Sequence, residues 1–528
     1  MGTKTFNNYE SLLTFTRASK GHALRPVSYG DELVENGTFD SDTSDWVSIR
    51  SSVLSSESER LRITNNGTSN GGAVTSFSTS AGNIYEVYVT GYHGTAGGAK
   101  FRLGTTSAGT DITTDITQAD GETTRFIFVA PASVAYITLY ASSGTTTGVY
   151  SEYDNVSVKE VLFDQPDGTL TLFEHPENVS RVEYDADGVR LGLLVEEQRT
   201  NLLTYSEDFT QSFYIKDSNV AVTSSNNTAP SGISNASLIT VSDNGRIYAN
   251  NTSITGVVSV FLKAGTFTNL KIKANNVDLV AKTASAGTLT EVGGGWFRYT
   301  SEEATAARHF QIQAYPDDTY STHTQTGTYY IWGAQLEAGS FPTSYIKNEG
   351  TSSGVTRSAD VASIPVADFG LNRSSYSMLL EAISSAPDNA AGTGNNVNNI
   401  AQLKSAGANY SSLGIGSSGP RVNRPSLASR NNAATIVAAG GGGDVASLDN
   451  TFDEGLLVKF SASFDVDSGT IAGSVNGSTV FSSTGSVAGV DLSFTNLEFN
   501  KGQGAAYIKS IKYYPRRLTN AQLQDLTS

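Results

Sequence analysis

Along most of the chain apolar residues alternate with polar ones, in short runs closed by Gly, Asn, Asp or Ser. Between Ile84 and Tyr92 the side chains of Tyr85, Val87 and Val89 share one side, leaving Tyr88 and Tyr92 on the other. Between Ala135 and Ala141, Ile137 and Leu139 likewise leave Tyr136 and Tyr140 opposite. A period of two predicts half-buried strands, and many such runs at short, turn-punctuated spacing predict sandwiches or barrels. Asn476-Gly477 between two such runs predicts a tight hairpin. Helical periodicity is nearly absent; the exception is Thr519 to Leu526, where Thr519 can cap the first turn and Leu518, Leu523 and Leu526 supply a small apolar side.

The pattern repeats. Asn83 to Tyr92 is echoed by Gly256 to Gly265, Thr123 to Val129 by Gly294 to Thr300, Val134 to Ala141 by Arg308 to Tyr315, and Gly148 to Val158 by Gly327 to Leu336. The order is the same both times and the offsets drift by a few residues, as expected when loops vary in length and strands do not. Two versions of one sandwich are therefore expected, at 31–161 and 200–347. Residues 1–30 form an N-terminal segment, 162–199 a β-hairpin connector, 348–365 a linker, and 366–528 a third unit. The expected fold class is all-β: three tandem β-sandwich domains, jelly-roll or lectin-like, with a short β-hairpin connector and one short C-terminal helix.

Composition narrows the chemistry. The 528 residues hold 35 Lys and Arg against 51 Asp and Glu, a balance of 35 − 51 = −16. Such a chain lacks the electrostatic footprint for nucleic acid or an anionic membrane. There is no cysteine, which excludes disulfides, thiolate metal sites and a cysteine nucleophile. Met1 to Leu13 lacks the basic-then-apolar order of a secretion signal and no run of 18 apolar residues occurs. Synthesis in the cytoplasm without a signal peptide, and no membrane insertion, are expected.

Several blocks resemble known families. Asn36-Gly37-Thr38-Phe39-Asp40, Trp46 and Tyr153-Asp154-Asn155-Val156-Ser157-Val158 resemble the opening and closing strands of carbohydrate-binding-module jelly rolls of families 4 and 9. Thr14 to Ser19 (TFTRAS), Gly192 to Leu203 (GLLVEEQRTNLL), Tyr205 to Phe209 and Tyr329 to Glu337 resemble, in that order, segments common in bacteriophage tail and fibre proteins. Val475 to Ser478 and Ile508 to Leu526 are similar to concanavalin-like or laminin-G-like lectin sandwiches. The first module looks inserted between the Thr-Arg-Ala-Ser segment and its usual continuation. The resemblances imply a virion protein of a phage tail, a fibre or receptor-binding component. Its implied partners are host cell-surface polysaccharide, other phage structural subunits and copies of itself, with a homotrimer as the expected assembly.

Sugar recognition wants aromatic planes against C–H faces and planar donors for hydroxyls or carboxylates. Tyr88, Tyr92, Tyr136 and Tyr140 with Arg62 and Arg102 are therefore expected to form one carbohydrate-binding face on the first module, with Trp296 and Arg298 its counterpart on the second. The jelly-roll resemblance places Asp154 as a ligand of a structural calcium ion, helped by Asp40 and Asn36, an incomplete shell that backbone carbonyls would have to finish. The five histidines form no close pair. Glu196 and Glu197, adjacent on an alternating strand, face opposite sides and cannot act together. No nucleophile elbow or phosphate loop occurs. The chain is expected to be noncatalytic, with a purely architectural virion part as the alternative and a polysaccharide depolymerase as the weaker one.

Overall fold

The computed structural model describes residues 4–6, 12–67, 69–142, 146–249, 256–301, 310–339, 341–384, 397–405, 410–416, 425–431, 434–439, 456–465, 467–484, 493–501 and 504–528. Their regular structure is almost wholly antiparallel strand, arranged as sandwiches. The chain divides into two compact units, Pro26–Thr169 and Met1–Arg25 with Leu170–Ser528.

The unit Pro26–Thr169 packs two sheets about one core. One sheet runs in the order Thr113–Gln118, Ala99–Gly104, Val134–Ala141, Gly72–Ser78, Val47–Ile49. The other places Ile84–Tyr92 between Glu122–Val129 and Tyr150–Phe163. The alternation sets the core: Tyr85, Val87 and Val89 from one sheet meet Phe101, Leu103, Ile137 and Leu139 from the other. Gly37 is required by close approach, since a Cβ there would lie 2.0 Å from the carbonyl oxygen of Val156. The ends of the unit lie side by side: Val27 pairs with Phe163, and the Asp164 N–H donates to the Pro26 carbonyl at 3.0 Å.

The second unit contains two sandwiches. In the first, Trp296–Thr300, Val257–Ala264 and Thr326–Glu337 are consecutive neighbours, the same arrangement that Glu122–Val129, Ile84–Tyr92 and Tyr150–Phe163 adopt in the smaller unit. The internal repeat thus corresponds to equivalent strands of two like-built sheets. The C-terminal sandwich draws on more than residues 366–528. Its eight-stranded sheet begins with the hairpin Arg181–Tyr184 and Arg190–Glu196, and Lys4–Phe6 pairs with Ala505–Tyr514. Its other sheet takes in Thr14–Thr16 and Val361–Pro365.

Local signals act as their chemistry predicts. Asn476 and Gly477 both take positive φ, 46° and 73°, and the Ser478 N–H closes the turn on the Val475 carbonyl. The predicted helix is Asn520–Thr527, and Thr519 and Gln522 form a reciprocal capping box. A second helix, Val366–Phe369, was not expected. One turn long, it follows Pro365, buries Val366 and Phe369, and ends at Gly370 with φ 64°; four residues carry too little periodicity to read. Among the described residues no helix is long and apolar enough to cross a membrane.

Candidate functional site

The expected carbohydrate face of the first module is in fact two faces. Tyr136, Tyr140 and Arg102 belong to the five-stranded sheet, whereas Arg62, Tyr88 and Tyr92 belong to the opposing one. Both sets point away from the shared core, so they lie on opposite outer surfaces of the sandwich. Alternation within a strand tells which residues share a side; it does not tell which sheet the strand joins.

On the five-stranded sheet, Tyr140 pairs with Lys100, and Arg102 is opposite Thr138 on the same two strands. The Arg102 guanidinium carbon stands 4.6 Å from the Tyr140 ring centre, that of Arg50 4.8 Å, and Lys100 Nζ 5.9 Å. Asp115 ties two of these cations, 2.7 Å from Lys100 Nζ and 2.5 Å from Arg102 Nη2. The ring has 0% exposure beneath these long side chains, and its hydroxyl is buried with no hydrogen-bond partner. Burial pushes the phenol pKa up despite Arg102 and Arg50. A Cβ at Gly72 would lie 3.0 Å from Tyr140 Cδ1, so the glycine makes room for the ring. Three cations against one carboxylate leave this face positive on a chain of net charge −16. Tyr136 is half-buried on the same side of the strand.

The opposing sheet carries tighter internal pairing. Arg62 donates to Glu152 Oε1 through Nε and Nη2, at 3.0 and 2.7 Å, and covers the Tyr150 ring at 4.1 Å. Tyr92 lies beneath Arg60, 3.5 Å from its guanidinium carbon. Tyr88 donates its hydroxyl to Glu86, which is also paired with Arg125; burial and Glu86 push the phenol up to about 12.

Trp296 and Arg298 are not on an outer surface. Phe297 and Tyr299 enter the core of their sandwich, which turns Trp296 and Arg298 to the other side of the sheet. That side is roofed by Leu24 and Leu172, in an apolar cluster with Phe261, Trp332 and Tyr345. Trp296 keeps 2% exposure, and its Nε1 donates to the Thr228 carbonyl at 2.9 Å. It cannot stack on a sugar, because it is covered by Leu24 and Leu172, from sequence read as the N-terminal segment and as a separate connector.

Asn36 uses its amide nitrogen within its own loop, donating to Asp42 Oδ1 at 3.0 Å and the Ser44 carbonyl at 3.0 Å. Asp154 accepts from the Asn155 N–H at 2.7 Å and Nδ2 at 2.9 Å. Burial raises the Asp154 pKa, and Asp40 and Glu59 add to the rise. Among the described residues no group of three or more His, Cys, Asp or Glu is placed to hold a metal ion.

Sequence reasoning missed a buried ionic knot in the larger unit. Arg181 Nη2 lies 2.5 Å from Asp360 Oδ2 and 2.9 Å from Glu196 Oε2; Arg17 reaches Asp360 at 3.3 Å and Arg357 reaches Glu196 at 3.4 Å. Arg17 Nη2 also donates to the Pro176 carbonyl at 2.9 Å, and Ser344 donates to Glu196 from its N–H and hydroxyl at 2.7 and 2.6 Å. Burial alone would raise Glu196, but Arg357, Arg181 and Ser344 hold it at about 2. Burial and Arg181 lower Arg17 to about 10. The available signal was the placement of Arg17 and Glu196 in the blocks that resemble phage tail segments; their partners lie too far along the chain to be read.

Comparison with known proteins gives little beyond this geometry. No family model matches the chain, and no curated protein matches it. Among solved structures it is similar to domain 4 of AbnA, a GH43 extracellular arabinanase from Geobacillus stearothermophilus, in complex with arabinotriose. That match has 15% identity and a TM-score of 0.20, covering 36% of this chain and 84% of that one. It is also similar to the N-terminal CBM22-1-CBM22-2 tandem domain of Paenibacillus barcinonensis Xyn10C, at 11% identity and a TM-score of 0.20, covering 59% of this chain and 98% of that one.

Proposed function

We propose that the protein is a noncatalytic carbohydrate-binding component of a phage tail, attaching to host-surface polysaccharide through the five-stranded sheet of the unit Pro26–Thr169. The carrying observation is the Tyr140 ring with Arg50, Lys100 and Arg102 around it. Arg50 and Lys100 are long and flexible, so a saccharide can displace them from the ring, stack on it and take over their donors. The positive balance of the face favours an acidic glycan. Each such contact is shallow, so firm attachment calls for several copies acting together, and a homotrimer fits that need. The phage-tail assignment rests on the sequence blocks around Arg17 and Glu196, which also supply the ionic knot.

The test is a glycan array with the full chain, followed by Tyr140→Ala and Arg102→Ala. Binding to acidic glycans that falls about 10-fold or more in each variant supports the reading; unchanged binding overturns it. A purely architectural role is the second reading, favoured by the sealing of Trp296. It predicts a silent array and normal particle assembly in the Tyr140→Ala variant.

A further inference from the structure

Within the larger unit, a cavity of about 560 Å³ lies between the 200–347 sandwich and the edge of the C-terminal sheet. Its volume is in the range of pockets that hold small molecules, roughly 300–1,000 Å³. Arg298 supplies a guanidinium to its lining, Glu183, Asp185, Glu196 and Glu291 supply carboxyl groups with His22 and tyrosines beside them, and Phe341 and Leu172 add apolar faces.

Arg298 is held but not neutralised. Its Nη2 donates to Ser259 Oγ at 2.9 Å and to the Thr343 carbonyl at 2.7 Å, while its Nε is buried with no partner. Among the described residues no carboxylate forms an ion pair with it. Glu196 is committed to Arg181, Arg357 and Ser344. Glu183 accepts the Leu24 N–H at 3.1 Å and is enclosed by protein, yet retains accessible area, as a side chain facing a cavity does. Burial pushes Glu183 up to about 8, with Glu196 adding to the rise and the Leu24 N–H, Arg181 and Arg298 opposing it; Tyr507, His22, Asp185 and Glu291 are further ionisable groups of the same lining, Asp185 accepting the Asp187 and Val189 N–H groups at 3.0 and 2.8 Å and Glu291 paired with Lys282 at 2.6 Å. At neutral pH the cavity therefore holds a guanidinium with no ion-pair partner among the described residues and, beside the turn carboxylate of Asp185, a Glu183 carboxyl kept protonated by burial and able to donate a hydrogen bond.

We propose that this cavity binds a carboxylate-bearing sugar residue, with Arg298 gripping the carboxylate and Glu183 donating to it. The site is independent of the Tyr140 face. The same chemistry is offered by a free uronic acid and by the end residue of an acidic polysaccharide.

The test is calorimetric titration of the full chain, and of its Tyr140→Ala/Arg102→Ala variant, with glucuronate, trigalacturonate and glucose. The double variant removes the other cationic face, so failure of that reading leaves this one measurable. Uronate binding in both proteins, with glucose at least about 10-fold weaker, supports the proposal; binding of the trisaccharide alone identifies a chain end, and of the monosaccharide a free acid. Arg298→Gln weakens uronate binding roughly 10- to 100-fold, the scale of a charge-assisted hydrogen bond. Between pH 6.5 and 9 Glu183 ionises and repels the ligand, so wild-type binding falls while that of Glu183→Gln does not. No uronate binding, equal binding of glucose, or the same pH response in Glu183→Gln overturns the proposal.

Discussion

Two clusters of arginine and carboxylate in this protein use the same groups to opposite ends. The knot of Arg17, Arg181, Arg357, Asp360 and Glu196 is buried, each charge answered by another charge, a carbonyl or a hydroxyl. The group of Arg50, Lys100, Arg102 and Asp115 lies on an outer face, with a cationic excess and a ring beneath it. Removing a partner from the first leaves charge stranded in protein; removing one from the second returns it to water. What separates a cluster that holds the fold from one open to a ligand is not the residue types but where the uncompensated charge can go.

The sharpest break of this comparison is Asp360→Ala. It leaves Arg17 without a carboxylate and Arg181 with Glu196 alone, and should destabilise the larger unit by about 3–5 kcal/mol, read as a fall in its denaturant midpoint. Trp296→Ala should cost a similar amount, about 3–5 kcal/mol for a buried indole, while leaving array binding to acidic glycans unchanged. A loss of that binding without loss of stability would restore Trp296 as a contact residue. Acid acts on the knot next. Glu196 is depressed from 4.5 to about 2 in the folded chain, so its stabilisation is complete above pH 4.5 and fades as pH falls toward 2. Chemical denaturation between pH 6 and 2.5 should show that loss in wild type and a flatter response in Glu196→Gln. The smallest effect is Arg102→Ala, below about 1 kcal/mol of stability, since its pair with Asp115 is partly exposed. Its reduced glycan binding then contrasts with its near-normal melting.

Local chemistry was legible and long-range choice was not. The capped helix at Thr519, the turn at Asn476-Gly477 and the core sides of Ile84–Tyr92 and Val134–Ala141 follow from neighbours within a few residues. The repeat was visible because equivalent strands keep their pattern while loops change. Which sheet receives a strand depends on partners far along the chain, so Tyr88 and Tyr140 read as one face and occupy two. The roof over Trp296 and the bond from Arg17 to Asp360 span even greater separations and leave no periodic trace. Glu183 and Arg298 illustrate the same limit: only the fold brings this carboxyl group and this guanidinium to one cavity.

The adjacent ends of the unit Pro26–Thr169, with Val27 facing Phe163, make that domain a cassette. A chain that enters and leaves through one strand pair can be cut there and rejoined by a short loop, or fitted with a foreign domain of equal end spacing. Recombination can therefore exchange that domain and the outer faces it presents while the scaffold that receives it is inherited unchanged.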